Sequence, residues 1–200
     1  MDIITDFYLN SSSSGILGVI GSSIKMTFLF LLAMIVIGMI ASAIEHITNV
    51  IISMVLGGAF ALVFCNYLTI PGTILHELSH AIVATITGAR VTEISFFDIG
   101  LSLGHVSYRN RGPKFLRALQ DSLTACAPVI GGVFALAFLW EKLTYQDHGL
   151  GATIGLIYLI VSVIDHMTMS IPDVINYFKG IWASAIVVFL INIVIFIAIL

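Results

Sequence analysis

Charge is what this chain has least of. Lys, Arg, Asp and Glu make up 10% of its 200 residues, against about 25% in soluble domains, which excludes a soluble globular monomer. Nor is there a basic excess: eight Lys and Arg against eleven Asp and Glu leave a formal charge of −3. Nothing is available to neutralise a phosphate backbone, so nucleic acid is not an expected partner. Cysteine is nearly absent. Cys65 and Cys126 both lie in apolar stretches, where a thiol behaves as a small hydrophobe rather than as half of a disulfide. No basic n-region precedes the first apolar run, which follows Asp2, Asp6 and the polar stretch 10–14, so that run is not expected to be a cleaved signal peptide. Internal repeats and long linkers are also missing, so 1–200 reads as a single membrane domain.

What fills the chain instead is apolar: 59% of its residues are hydrophobic and the mean hydropathy is +1.10. A hydrocarbon core about 30 Å thick takes about 20 apolar residues per helix. Runs of that order occupy 26–44, 47–68, 72–87, 115–140, 152–169 and 181–200. The expected fold is an all-α polytopic membrane protein with about six transmembrane helices. Between the third and fourth, 91–97 and 105–109 alternate apolar and polar residues around Gly100 and Gly104, which predicts a small interfacial β-hairpin. Arg90, Arg109, Arg111, Lys114 and Arg117 flank that connection, with Lys179 placed on the same face and Lys25 and Lys142 on the other. Positive loops stay inside, so the expectation is a multi-pass protein of the cell membrane with the 89–114 loop cytoplasmic and both termini outside. Trp140, Tyr145, Tyr177 and Trp182 fit an interfacial aromatic belt. Asp121 is placed to pair with Arg117 one turn earlier.

The chemistry lies in the third apolar run, where His76-Glu77-Leu78-Ser79-His80 forms a His-Glu-x-x-His on a helix. His76 and His80 stand one turn apart on one face and can share one zinc ion per chain. Glu77, beside the first ligand, is placed to take a proton from water that the ion acidifies. Three ionisable residues within five positions of a membrane helix need a compensating partner, and a cation supplies one. Hydrogen bonding to other helices, or the lining of a water-filled pathway, is the bland alternative for the same residues.

The stretch HELSHAIVATITGARVTEISFF, 76–97, resembles the metal-binding helix of the site-2 protease family of intramembrane zinc metalloproteases, running through Gly88 into an interfacial strand. Ala125-Cys126-Ala127-Pro128 is similar to the small-residue and proline element of that family's next helix. The resemblance implies that His76 and His80 bind zinc and that Glu77 is the general base. It also implies a transmembrane or membrane-associated protein substrate, cut within or near the lipid bilayer. Ser79 replaces the usual glycine. The family's Leu-Asp-Gly element, which carries its third ligand, has no counterpart here; Asp165 through Asp173 takes its place. Asp173, beside Pro172, is the expected third ligand and Asp165 the second choice. Ser170-x-x-Asp173 also reads as a helix N-terminal cap.

Hydrolysis of membrane-embedded peptide bonds is the function this reading favours. The rival is a non-hydrolytic scaffold, permease or degenerate protease that binds metal or clients without cleavage. A passive site has no need of Glu77 next to His76.

Overall fold

The computed structural model describes residues 15–63, 67–97 and 103–199; Cys65 and Gly100 lie outside them. In chain order the elements are α1 (Gly15–Leu56), α2 (Gly58–Val63), α3 (Ile70–Ile86), β1 (Arg90–Phe97), β2 (Leu103–Arg109), α4 (Lys114–Ala125), α5 (Ala127–Tyr145), α6 (Leu150–His166) and α7 (Ile171–Ile199). Helices dominate, with one two-stranded antiparallel sheet. Among the described residues three helices, α1, α5 and α7, are long and apolar enough to cross a membrane, and α6 is a shorter apolar helix. Large apolar side chains such as Phe28, Met39, Phe134 and Val194 stay exposed on them, a surface suited to lipid rather than water.

The six expected spans are not reproduced as six helices of spanning length. The polar pair Glu45-His46 divides the apolar runs 26–44 and 47–68, yet the 42-residue helix α1 continues through it. Polarity does not break a helix; the loss of backbone geometry does. The break comes at Gly57, whose φ of +90° suits glycine. Conversely, the run 115–140 divides at Cys126 into α4 and α5, with Pro128 in the first turn of α5.

The helices pack through small residues. A Cβ on Gly72 would strike the Ser162 backbone, one on Gly132 the Met167 side chain, and one on Gly180 the Ala118 carbonyl. These contacts join α3 to α6, α5 to the segment after α6, and α7 to α4, as expected where backbones approach closely in a membrane. Between Ser122 and Ser184 the hydroxyls bond at 2.5 Å. The core gathers Met34, Ala125, Cys126, Val129, Met169 and Tyr177. Tyr177 therefore does not belong to an interfacial belt: it is buried, and its hydroxyl donates to the Leu31 carbonyl at 2.8 Å. Lys179 lies within α7 rather than in a loop. Asp121 accepts a hydrogen bond from Asn110 at 2.5 Å, and no ion pair with Arg117 forms among the described residues.

The expected hairpin is present, pairing Val91 with Tyr108, Ile94 with Val106 and Ser95 with His105. Helix α3 reaches it through Gly88 at φ +85°. Gly88 N–H donates to Thr85 O at 3.0 Å and Ala89 N–H to Ala84 O at 2.8 Å. That paired closure of the last turn requires a left-handed residue after the helix.

Candidate metal centre

His76 and His80 project from α3, whose start is held against α6 by Ser162. The Ser162 hydroxyl accepts from Gly72 N–H at 2.8 Å and donates to the Thr69 carbonyl at 2.9 Å. Asp173 comes from the first turn of α7. One ligand atom from each of His76, His80 and Asp173 falls in a single group, all within 4.8 Å of one another.

The rings are oriented from behind. Nδ1 of His76 lies 2.7 Å from the His166 carbonyl, and Nδ1 of His80 lies 2.7 Å from the Thr124 carbonyl. A carbonyl oxygen only accepts, so both Nδ1 atoms carry a proton, and in the tautomer protonated there alone both Nε2 atoms present lone pairs. Those two Nε2 atoms face each other at 3.2 Å. Two neutral acceptors do not attract at that distance, whereas two nitrogens on one tetrahedral zinc stand about 3.3 Å apart. Together with Asp173, the two rings form a group that could hold a metal ion. Carbonyl partners of this kind fix the tautomer in metal-ligating histidines.

Both carbonyls lack their ordinary donor four residues ahead because the helices break there. The Thr124 oxygen would ordinarily accept from residue 128, but Pro128 has no N–H. His166 is the last residue of α6, so its carbonyl has no partner one turn ahead within the helix. Pro128 was the signal in the sequence that an acceptor would be free four residues earlier; nothing in the sequence marked His166.

Asp173 serves as cap and as candidate ligand at once, through different oxygens. Its Oδ2 accepts from Ser170 N–H at 3.0 Å and from the Ser170 hydroxyl at 2.6 Å, while its own N–H reaches Ser170 Oγ at 3.3 Å. This reciprocal arrangement is a capping box with aspartate in the glutamate position. Oδ1 remains, 3.7 Å from His80 Nε2. Asp165, the second choice for third ligand, is not part of the group: it sits at the end of α6, where it lines the same cavity.

That cavity, about 550 Å³, is lined by residues that include His76, Glu77, His80, Asp173, Tyr108, Glu45 and Asp165. Glu77 is 6% exposed. Strand β2 passes directly over it, and a Cβ on Gly104 would stand 3.0 Å from Glu77 Cγ. Gly104, His105, Val106 and Tyr108 all line the cavity, so β2 borders the centre. Burial, helped by the Asp121 and Asp173 carboxylates, pushes the Tyr108 phenol up to about 12, which keeps it a neutral hydrogen-bond donor. Ser79 turns its hydroxyl to the Leu75 carbonyl at 2.6 Å and is accommodated by Gly131, which has no Cβ to meet it. Gly131 and Gly132 are thus packing glycines, while Gly57 ends a helix.

Neither the family models nor the curated proteins nor the solved structures contain a match to this chain.

Proposed function

We propose that the protein is an intramembrane zinc metalloprotease, a divergent relative of the site-2 proteases, which hydrolyses peptide bonds of membrane-embedded protein substrates. The observation that carries the reading is the pair of inward Nε2 lone pairs at 3.2 Å, held by carbonyl bonds on both Nδ1 atoms, with Glu77 in the same cavity. His76, His80 and Asp173 would hold the ion. Zinc bound there supplies Lewis acidity toward water and toward a peptide carbonyl.

The remaining work falls to the chain's own residues. The Glu77 carboxylate takes a proton from the attacking water and delivers it to the leaving amine. Its burial under Gly104 keeps bulk water from competing for that proton. Tyr108, a neutral donor lining the same space, can hydrogen-bond to the oxygen on which negative charge develops. A helical peptide bond is shielded, so the substrate must be extended before attack. The edge of β2 not paired with β1 is the place for such a segment to add as a strand.

The test is elemental mass spectrometry together with a cleavage assay on purified full-length protein in lipid. One zinc per chain, with cleavage of a transmembrane reporter lost in Glu77→Gln while zinc stays bound, is the expected result. Zinc-free protein after resupply, or cleavage unchanged in Glu77→Gln, would overturn the reading.

A further inference from the structure

The proposed hydrolysis uses only part of the cavity. Glu45 from α1 and Asp165 from α6 also line it, together with Ser42 and Thr168. Asp165 is 4% exposed and its Oδ2 has no hydrogen-bond partner. Such an atom costs free energy unless something meets it. Glu45 and Asp165 interact electrostatically, and Thr168 hydrogen-bonds to Glu45. Among the described residues no Lys or Arg forms an ion pair with either carboxylate. The groups of opposite potential charge facing them are His46 for Glu45 and His166 for Asp165. Two carboxylates in an apolar setting, one with an unmet oxygen, call for a cation.

We propose that Glu45 and Asp165 form a subsite for a basic side chain, lysine or arginine, on the membrane-embedded segment that occupies the metal-centre cavity. The proposal rests on the reading of that centre as peptide-hydrolysing. An ammonium carries three donors and no acceptor, matching the free Asp165 oxygen, the Glu45 carboxylate and a hydroxyl beside them. A calcium ion takes six to eight oxygens, so it would need all six side-chain oxygens of Glu45, Asp165, Ser42 and Thr168 at once, whereas an ammonium needs three acceptors. The subsite would select substrates whose apolar segment carries one cation near the bond to be cut, and would hold that segment in register.

Binding is measured on the full-length Glu77→Gln chain in lipid nanodiscs, so no turnover is required. The probes are three synthetic transmembrane peptides, identical except for Lys, norleucine or Glu at one position, scanned across the segment. At one position of the scan the Lys peptide is expected to bind about tenfold to hundredfold tighter than its norleucine twin, and the Glu peptide weaker than both. Adding E45Q and D165N should remove the difference, with zinc content reporting that the fold survives. Should that variant not fold, the order Lys, norleucine, Glu in the parent chain decides alone. Equal binding of the three peptides at every position, or a Lys preference that survives E45Q and D165N, overturns the subsite. Calcium bound by the parent chain and lost in that variant, without peptide discrimination, overturns it too. Cleavage of the same peptides by the Glu77-intact chain is read separately. Its absence would count against hydrolysis and leave the binding result to judge the subsite.

Discussion

Gly104 and Glu77, 27 positions apart in the chain, are in contact through the space where a side chain on Gly104 would be: a Cβ there would come within 3.0 Å of Glu77 Cγ and also meet the Ser95 carbonyl. The hairpin thus closes over the general-base candidate only because position 104 has no side chain. Gly104→Val is expected to lift β2 from α3, lowering cleavage at least tenfold while zinc content stays near one per chain. Elemental analysis beside a cleavage assay reads both, and full activity in the variant would show that the hairpin does not need to sit there.

Metal binding should follow the geometry of the three ligands. His76→Ala and His80→Ala are expected to lose zinc. Asp173→Ala should weaken it, and Asp165→Asn should retain it, because Asp165 is outside the ligand group. Zinc retained in His76→Ala would remove the centre as described.

Pro128→Ala tests the carbonyl behind His80. The new N–H at 128 would compete for the Thr124 oxygen that accepts from His80 Nδ1 at 2.7 Å. Zinc affinity should fall about 10–100-fold, the usual cost of losing such an outer partner, while circular dichroism shows helix content equal or higher. Unchanged affinity in competition with a chelator would mean that His80 orients itself without Thr124.

Glu77→Gln keeps the shape of the side chain and removes its basicity. Turnover is expected to drop about 10²–10⁴-fold with zinc retained, as measured by single-turnover cleavage. A smaller drop would reassign the base.

Ser170→Ala removes the hydroxyl that both caps α7 and holds Asp173 Oδ2. Thermal unfolding should report a loss of about 1 kcal/mol, and zinc affinity should fall with it because the carboxylate then keeps only its bond from Ser170 N–H. A stability loss with affinity unchanged would separate the cap from the ligand role.

Composition and short spacing made much of this legible. The scarcity of charge forces the helices into an apolar environment, because side chains so poor in charge cannot be solvated as a soluble surface. The four-residue interval between His76 and His80 equals one helical turn, so their shared face is a local property of α3. The alternation in 91–97 and 105–109 predicts the hairpin for a similar reason, since strand periodicity is also local. Helix ends are less legible in the sequence. Glu45-His46 interrupts the apolar pattern without interrupting α1, because hydropathy registers the side chain and helix continuity depends on the backbone.

Only the tertiary structure decided what meets what across the chain. Asp173 joins the histidines, and Asp165 does not, because the start of α7 rather than the end of α6 is brought to α3, a matter of packing between distant segments. The Thr124 and His166 carbonyls reach the rings for the same reason. Sequence fixes which backbone acceptors a proline or a helix end leaves unpaired; long-range packing fixes which side chains arrive to use them.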